Sequence, residues 1–231
     1  MRVRQGIEAS VLVVSLLLGA AAGGSSLLNH RKGQDFDLVA SANPVVPGTS
    51  DTDRTAMFER SRGKRAQADN VASASATCNS CTGTATAVQV IYVGKARKGT
   101  ADNLATSWSS CRGCSAISVS VQIVVTRPGT NLTIRNRALA VNASCSGCTS
   151  AAVAVQLVVV TKKHQALSRK AREQLAALAA QLEADLRSAS RSKAARLSAA
   201  KEKPGLPEIQ ALVKNELKPT SIRPSFTVKT G

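Results

Sequence analysis

Three pairs of cysteines, each pair separated by two residues, recur along this chain at almost constant spacing. Their segments read CNSCTGTATAVQV at 78–90, CRGCSAISVSVQI at 111–123 and CSGCTSAAVAVQL at 145–157. Cysteines at this spacing support three kinds of chemistry, namely a structural disulfide, a zinc knuckle or a redox centre. The residues around the pairs must therefore decide between these readings.

Local disulfides agree best with the surrounding sequence. A zinc site needs four ligands, so three pairs would leave one pair over, and the histidines His30 and His164 lie outside the repeat. A redox pair gains its reactivity at a helix N-terminus, whereas each pair here precedes an alternating, strand-like segment. Zinc binding and thiol redox chemistry stay as alternatives. The expected disulfides join Cys78 with Cys81, Cys111 with Cys114, and Cys145 with Cys148.

The cysteine pairs belong to a threefold repeat that covers residues 68–161. The first cysteines of successive pairs are 33 and 34 residues apart, and a fixed period of this size is typical of repeat architectures. An asparagine precedes each pair and a glutamine follows it at nearly constant distance. These candidate polar pairs are Asn70 and Gln89, Asn103 and Gln122, and Asn136 and Gln156.

Each unit reads as a strand, a two-residue turn and a second strand. The second strands alternate, with large apolar residues such as Val88, Val90 and Tyr92 on one face and small residues on the other. We predict three stapled hairpins in an antiparallel sheet that buries the large face, with turns that need positive φ.

This hairpin register also predicts which amides meet. Asn70 then faces Gln89, so the amides form a polar clamp that bonds to itself or to a neighbouring unit. The alternative is that the glutamine points to solvent and the asparagine caps a turn. The third unit is one residue out of step, so either a bulge between Asn136 and Cys145 restores its pairing or Arg137 takes the place of the asparagine.

The repeat resembles a module found in exported proteins of high-GC Gram-positive bacteria. The resemblance rests on the Cys-x-x-Cys pair followed after seven residues by glutamine, over about residues 68–161. Some proteins with this module carry the label of a peptide zinc metalloprotease. That activity does not transfer to this chain, because a zincin needs two histidines flanking a glutamate on one helix and neither His30 nor His164 has that setting.

The N-terminal segments predict export. Arg2 and Arg4 precede 20 residues without charge, from Ala9 to Leu28, which suits either a cleaved signal peptide or an uncleaved membrane anchor over residues 1–28. Both alternatives put the remainder of the chain outside the cytoplasmic membrane, where cysteines tend to form disulfides. Residues 29–67 are rich in proline, glycine and charge, so we expect a disordered linker there.

The C-terminal part predicts a long basic helix. Residues 162–203 contain no glycine or proline, and Pro204 follows them. Their leucines recur at three- and four-residue steps. We expect this amphipathic helix to pack on the sheet, to form a coiled coil with a second copy, or to lie on an anionic surface. Residues 204–231 should form a short helix that starts near Pro207 and then an extended tail. The leucines expected to be buried are Leu175, Leu178, Leu182 and Leu186.

Composition narrows the classes of function. The 231 residues carry a net charge of +17 and include only five aromatic side chains. A thin core of small side chains usually needs covalent or quaternary support. No hydrolase or phosphate-loop motif is present, and there is no motif or aromatic set for reading nucleic-acid bases.

The sequence therefore predicts an exported, non-enzymatic structural or interaction module of the cell envelope. We expect no cofactor and no specific nucleic acid. The expected partner is an unknown protein or an anionic envelope polymer, with a membrane anchor or self-association through the C-terminal helix as further expectations. A zinc-binding or thiol-redox protein and a polyanion-binding envelope protein are the alternatives.

Overall fold

A computed structural model describes residues 33–94, 96–163, 165–190 and 203–231 of the chain. These residues form nine strands and two helices. The elements in chain order are β1 (Gln34–Ala42), β2 (Ser50–Ser61), β3 (Arg65–Ala76), β4 (Thr82–Val93), β5 (Lys98–Ser109), β6 (Ser115–Thr126), β7 (Asn131–Asn142), β8 (Thr149–Val160), α1 (Arg169–Ala189), α2 (Leu206–Leu217) and β9 (Ser221–Thr230).

The first eight strands form a β-solenoid of four coils. Sheet A has the order β1-β3-β5-β7, and sheet B has the order β2-β4-β6-β8-β9. Successive strands alternate between the two sheets, so each coil contributes one strand to each. Neighbouring coils pair in parallel and in register, and only β9 runs antiparallel, along β8. A repeat of 33 to 34 residues is thus one coil of two strands and two turns.

The predicted antiparallel sheet of three hairpins is wrong. The two strands of a unit, such as β3 and β4, lie in different sheets, and each pairs with its equivalent in the next coil. The physical reason is visible in the strands of sheet B, whose small and large faces are both buried. Parallel sheets occur where both faces are covered, whereas a hairpin sheet would have left one face to water.

Sheet B is the middle of three layers. Its small side chains, such as Ala85 and Ala87, pack against alanines of sheet A, including Ala72 and Ala74. Its large side chains pack with the helices in a second and larger apolar cluster. The two face types therefore have different partners, and the outer face of sheet A meets solvent.

The linker predicted for residues 29–67 is also wrong where the structure describes it. Residues Gln34–Ala42 and Ser50–Ser61 form a further coil at the N-terminal end of the stack. Leu38 occupies the asparagine position of this coil and Met57 occupies its glutamine position. A Val-Pro-Gly-Thr turn replaces the cysteine turn, with Gly48 at a φ of 76°. The coil escaped detection because it lacks all three marker residues.

The helical prediction needs correction in length. Within the described residues α1 covers Arg169–Ala189. Ser168 caps its N-terminus, because the Ser168 side chain accepts a hydrogen bond from the Ala171 backbone N–H. A single long helix over 162–203 is not shown, and residues 191–202 lie outside the described part of the chain. Three of the four expected leucines, Leu175, Leu182 and Leu186, are buried against sheet B, and the fourth, Leu178, is partly buried.

The C-terminal segment completes the side of sheet B. Helix α2 adds Ile209, Val213 and Leu217 to the apolar cluster beneath α1. Strand β9 then covers the free edge of β8, which leaves that edge paired rather than open.

Two other expectations concern segments that the structure does not describe. The expected N-terminal apolar helix, and with it the signal peptide or anchor, falls in residues 1–32, which lie outside the described residues. Among the residues that are described, no helix is long and apolar enough to cross a membrane.

Candidate functional site: the cysteine turns and the amide ladders

The three cysteine pairs lie along one edge of the solenoid, where the chain passes from sheet A to sheet B. We call these segments the cysteine turns: Cys78–Cys81, Cys111–Cys114 and Cys145–Cys148. Each turn closes a disulfide between its own two cysteines, with Cα atoms 5.4 to 5.9 Å apart. The expected disulfide bonds are therefore present, and no cysteine is free among the described residues.

Each cysteine turn has one residue at positive φ, in the position before its second cysteine. These residues are Ser80, Gly113 and Gly147, with φ of 58°, 65° and 67°. The hairpin turn of type I′ would need two such residues, whereas a turn of type II needs only this one. Backbone bonds join the turns, since Ser80 N donates to Arg112 O and Gly113 N to Ser146 O, both at 2.8 Å.

The stacked turns bring sulfur atoms of different coils together. Cys114 Sγ lies 3.3 Å from Cys148 Sγ and 4.0 Å from Cys145 Sγ. The sulfurs of Cys111, Cys114 and Cys148 all lie within 4.8 Å of one another. A cavity of about 250 Å³ reaches this cluster from the C-terminal end of α1, with Cys114 and Arg187 among its lining residues. The cluster can hold disulfides when oxidised, and its thiolates could bind a soft metal ion when reduced.

The asparagines of the repeat form a ladder between the sheets. Asn70 Nδ2 donates to Asn103 Oδ1 at 3.0 Å, and Asn103 Nδ2 donates to Asn136 Oδ1 at 2.8 Å. Asn70 and Asn103 are fully buried. Each amide also donates to backbone carbonyls of sheet B, as Asn103 does to Ser120 O and Val155 O. The asparagine ladder therefore bonds both coil to coil and sheet to sheet.

The glutamines form a second ladder in sheet B. Gln122 Nε2 donates to Gln89 Oε1 at 2.8 Å, and Gln156 Nε2 donates to Gln122 Oε1 at 2.6 Å. Gln122 also donates across the layer to Ala68 O of sheet A. The structure thus connects like amides of neighbouring coils, while Asn70 and Gln89 of one coil bond to backbone atoms of the opposite strand.

The irregular spacing of the third unit is absorbed at a bend. Asn136 aligns with Asn103, and the register continues to Asn142 beside Ser109. The additional residue lies between Asn142 and Cys145, where Ser144 adopts a φ of 49°. A residue inserted after the strand end leaves both ladders in register.

An ion cluster around the buried carboxylate of Glu183, on the other face of sheet B, was not predicted from the sequence. Glu183 of α1 is 3 % exposed and accepts two hydrogen bonds from Arg54, at 2.8 and 2.9 Å. Arg187 and Thr86 also donate hydrogen bonds to the Glu183 carboxylate, at 3.2 and 2.9 Å. The hydrogen bond from the guanidinium to Glu183 raises the pKa of Arg54. No sequence signal connected these residues, because Arg54 and Glu183 are 129 positions apart.

A second polar contact fixes the start of α1. The Tyr92 hydroxyl accepts a hydrogen bond from Leu167 N at 2.8 Å, and burial raises the pKa of the Tyr92 phenol. At the same end Glu216 accepts from Ser168 N, which lowers the pKa of the Glu216 carboxyl. These contacts hold the two helices at a defined place on sheet B.

His30 and His164 both lie outside the described residues. Compared with known proteins, the chain matches no family model, no curated protein and no solved structure. The structure does show that the Cys-x-x-Cys pairs lie in turns between the repeated strands of a solenoid.

Proposed function

We propose that this chain is an exported, non-enzymatic structural or interaction module of the cell envelope. In this proposal the solenoid is a rigid scaffold stapled by its disulfides. The observation that carries the proposal is the repetition of one disulfide at the same turn of three successive coils. Repetition at equivalent positions is what a structural role requires, whereas a redox enzyme needs one exposed, activated thiol.

The core explains why such a scaffold needs staples. Strands of alanine, serine and threonine specify their register weakly, because a one-residue slip exchanges similar side chains. The disulfides fix the turn conformation of each coil, and the amide ladders fix its register against the next. Together they would support a thin core in an oxidising, extracytoplasmic environment.

The outer face of sheet A supplies a surface for a protein partner. Val39, Trp108 and Leu139 on this face are 58 %, 45 % and 55 % exposed. Trp108 and Leu139 lie in the adjacent strands β5 and β7, two residues out of register, so these two side chains can form a small apolar contact patch. Their position on a rigid sheet would present them to a partner with little loss of conformational entropy.

Thiol titration of full-length protein recovered from its producing cells tests the scaffold proposal. Titration under denaturing conditions should find no free thiols, and N-terminal sequencing of the extracytoplasmic fraction should locate the protein there. Six free thiols, or recovery of the protein from the cytoplasm alone, would contradict the proposal. Peptide mapping without reductant should return only bonds within each cysteine turn.

A second candidate function, zinc binding by the reduced protein, has one specific observation in its favour. Four thiolates around zinc, at about 2.3 Å each, stand about 3.8 Å apart in a tetrahedron. The distances of 3.3 and 4.0 Å from Cys114 Sγ to Cys148 Sγ and Cys145 Sγ bracket that value. Cys111, Cys114 and Cys148 would supply three ligands and Cys145 the fourth, and the first pair, Cys78 and Cys81, would remain outside the site.

Metal analysis separates the two candidates. If the protein is a zinc protein, anaerobic purification from native cells should give one zinc per chain and four thiols that a chelator exposes. A metal-free protein with three disulfides under the same conditions would exclude this function. Cys145→Ser serves as the diagnostic variant, because it removes one proposed ligand and leaves the first two cysteine turns intact.

A further inference from the structure

The edge of the solenoid opposite the cysteine turns is strongly cationic. There the chain passes from sheet B back to sheet A, through three turns that each carry at least one arginine. We call the following residues the basic edge: Arg62, Lys64, Arg65, Arg97, Lys98 and Arg127. All six are exposed. By contrast, the cysteine turns contain only one cation between their cysteines, Arg112.

Coil stacking converts these residues into ordered rows. Arg97 N donates to Lys64 O at 3.1 Å, so the turns of the second and third coils are bonded to each other. Arg65 and Lys98 are register partners in adjacent strands, which places their Cα atoms about 4.8 Å apart. Like charges at such spacing repel one another. Within the described residues none of the six takes part in an ion pair that would offset the repulsion.

The beginning of α1 adds to the same charge. Leu167 N donates a hydrogen bond to the Tyr92 hydroxyl, close to the last residue of β4, so α1 starts beside this edge of the solenoid. Its first turn contains Arg169 and Lys170 and no acidic residue. Cations at a helix N-terminus oppose the helix dipole and reduce stability. Positive charge is therefore concentrated here in two elements, although Glu173 pairs with Arg169 and Glu216 accepts a hydrogen bond from Ser168 N.

We propose that the basic edge binds a linear polymer with phosphate groups along its backbone. Arginine supplies four of the six cations, and its planar guanidinium matches phosphate in a bidentate manner. Rows of cations repeated at coil spacing suit a polymer whose charges also repeat. An open groove of about 640 Å³ continues from the edge over sheet A, with Arg65, Lys98 and also Asp35 in its wall.

The aromatic residues favour a polymer without bases. Proteins that hold single-stranded nucleic acid stack the bases on exposed aromatic side chains. Tyr92, Phe36 and Phe58 lie toward this edge of the solenoid, but Tyr92 is only 5 % exposed and the two phenylalanines are partly buried against the apolar clusters. Trp108 is exposed, but it lies in β5 one residue before the strand ends, near the cysteine turns and away from the basic edge. The basic edge therefore offers charge and no stacking platform, and the proposal goes beyond the scaffold role because it adds a defined ligand.

The test measures binding of full-length protein to fluorescein-labelled inorganic polyphosphate of about 15 units across a series of salt concentrations. The test variant combines Arg62→Gln, Lys64→Gln, Arg97→Gln and Lys98→Gln. It should weaken binding by at least about 100-fold at low salt and lower the slope of log Kd against log salt by about three, since each lost phosphate contact removes nearly one released counterion.

A matched control variant removes the same charge elsewhere. It combines Arg112→Gln, Arg135→Gln, Lys203→Gln and Lys229→Gln, which are exposed and outside the basic edge. We expect its affinity to change less than about threefold, and thermal unfolding should show that both variants remain folded. Equal losses in the two variants would show that net charge, and not the basic edge, binds the polymer.

Two further ligands decide the partner class. Single-stranded DNA of about 15 nucleotides and poly-glutamate of equal charge should both bind more weakly than polyphosphate. Tighter binding of DNA would overturn the proposal in favour of nucleic acid, and tighter binding of poly-glutamate would overturn it in favour of a carboxylate polymer. Failure of wild-type protein to bind polyphosphate at low salt would also overturn it, while leaving the scaffold proposal untouched.

Discussion

The buried asparagines and glutamines show how single side chains organise this molecule. An amide carries both donors and acceptors, so identical residues in successive coils can bond in series. The asparagines donate toward the C-terminal coil and the glutamines donate toward the N-terminal coil. Among the described residues, the terminal acceptors Asn70 Oδ1 and Gln156 Oε1 have no hydrogen-bond partner. Each ladder thus ends where the next coil has no amide to continue it.

Substituting the central asparagine should be costly. Asn103→Ala removes the donor to Asn136 and the acceptor for Asn70, so buried partners lose their hydrogen bonds. We expect the free energy of unfolding to fall by about 2–4 kcal/mol, measured by chemical denaturation. The control is Asn131→Ala, an exposed amide at the start of β7 on the opposite, outer face of sheet A, which should change stability by less than about 0.5 kcal/mol. Similar effects for the two variants would show that the ladder contributes little.

Glu183 gives a second prediction at this scale. Its carboxylate is buried between Arg54 and Arg187, so removing it leaves two cations without their acceptor. Glu183→Ala should lower the free energy of unfolding by about 1–3 kcal/mol, because the hydrogen bonds to a carboxylate that is 3 % exposed are lost while Arg54 and Arg187, 52 % and 38 % exposed, return to water.

Glu173→Ala is the matched control for this substitution. Glu173 forms an exposed pair with Arg169 on the same helix, and such pairs contribute less than about 1 kcal/mol. A Glu183 variant as stable as the Glu173 variant would contradict the role assigned to the buried cluster.

At the level of secondary structure, each strand of sheet B has two different tasks. Its small face approaches sheet A closely, as at Gly83, where an added Cβ would lie 2.3 Å from Ser75 O. Its large face holds α1 and α2. The turns that link the layers differ equally, since one set carries disulfides and the other carries the basic edge. Strand faces and turn sets thus separate structural tasks from binding tasks.

The cysteine turns should not contribute equally to stability. A bridge that closes a loop of four residues stabilises the folded state by only about 2 kcal/mol, through the conformational entropy it removes from the unfolded chain. The central pair, Cys111 and Cys114, is also buried, at 9 % and 1 % exposure, whereas Cys145 and Cys148 are partly exposed. We therefore expect the double variant Cys111→Ala/Cys114→Ala to lose more stability than Cys145→Ala/Cys148→Ala. Guanidinium denaturation of both variants measures the difference, and a larger loss at the outer pair would refute this ranking.

The whole molecule behaves as a one-dimensional stack that is closed differently at its two ends. At the C-terminal end β9 pairs with β8. In the first coil, the carboxylates of Asp51 and Asp53 accept hydrogen bonds from the backbone N–H groups of Asn43 and Ser41, both at 2.7 Å. Charged side chains near a terminal strand discourage pairing with further copies. Between these ends each coil contacts mainly its neighbours, as in other repeat proteins.

Removing one complete coil should therefore leave a folded protein. Deletion of residues 98–130 joins Arg97 to Asn131 and brings Asn70 beside Asn136, because the deleted segment equals one period. Circular dichroism should retain a β spectrum and unfolding should remain cooperative, with reduced stability since α1 loses β6 beneath it.

Deletion of residues 98–114 is the control for this experiment. It removes one strand and its cysteine turn, so β6 would have to enter sheet A and turn its large apolar side chains toward water. This variant should aggregate or remain unfolded. If both deletions fold equally well, strand position in the solenoid is not specified by the face pattern described above.

Several features were determined by the sequence alone. The repeat period, the two strands of each unit, the division of Val88 and Ala87 between opposite faces, and the disulfides all depend on residues close together in the chain. Local spacing is sufficient for them, because strand alternation has a period of two and a disulfide closes over two intervening residues. The apolar stripe that buries Leu175 and Leu182 follows from helix periodicity in the same way.

Only the tertiary structure decided how the strands associate. An alternating strand looks the same whether it pairs with the adjacent strand or with one 33 residues away, so β3 and β4 were wrongly placed in one sheet. The first coil kept the geometry without the markers, through Leu38 and Met57. The contact of Arg54 with Glu183 joins separate elements across 129 positions. These features depend on which surfaces meet in the folded chain, because burial of both faces of sheet B is achieved only when sheet A and the helices cover it together.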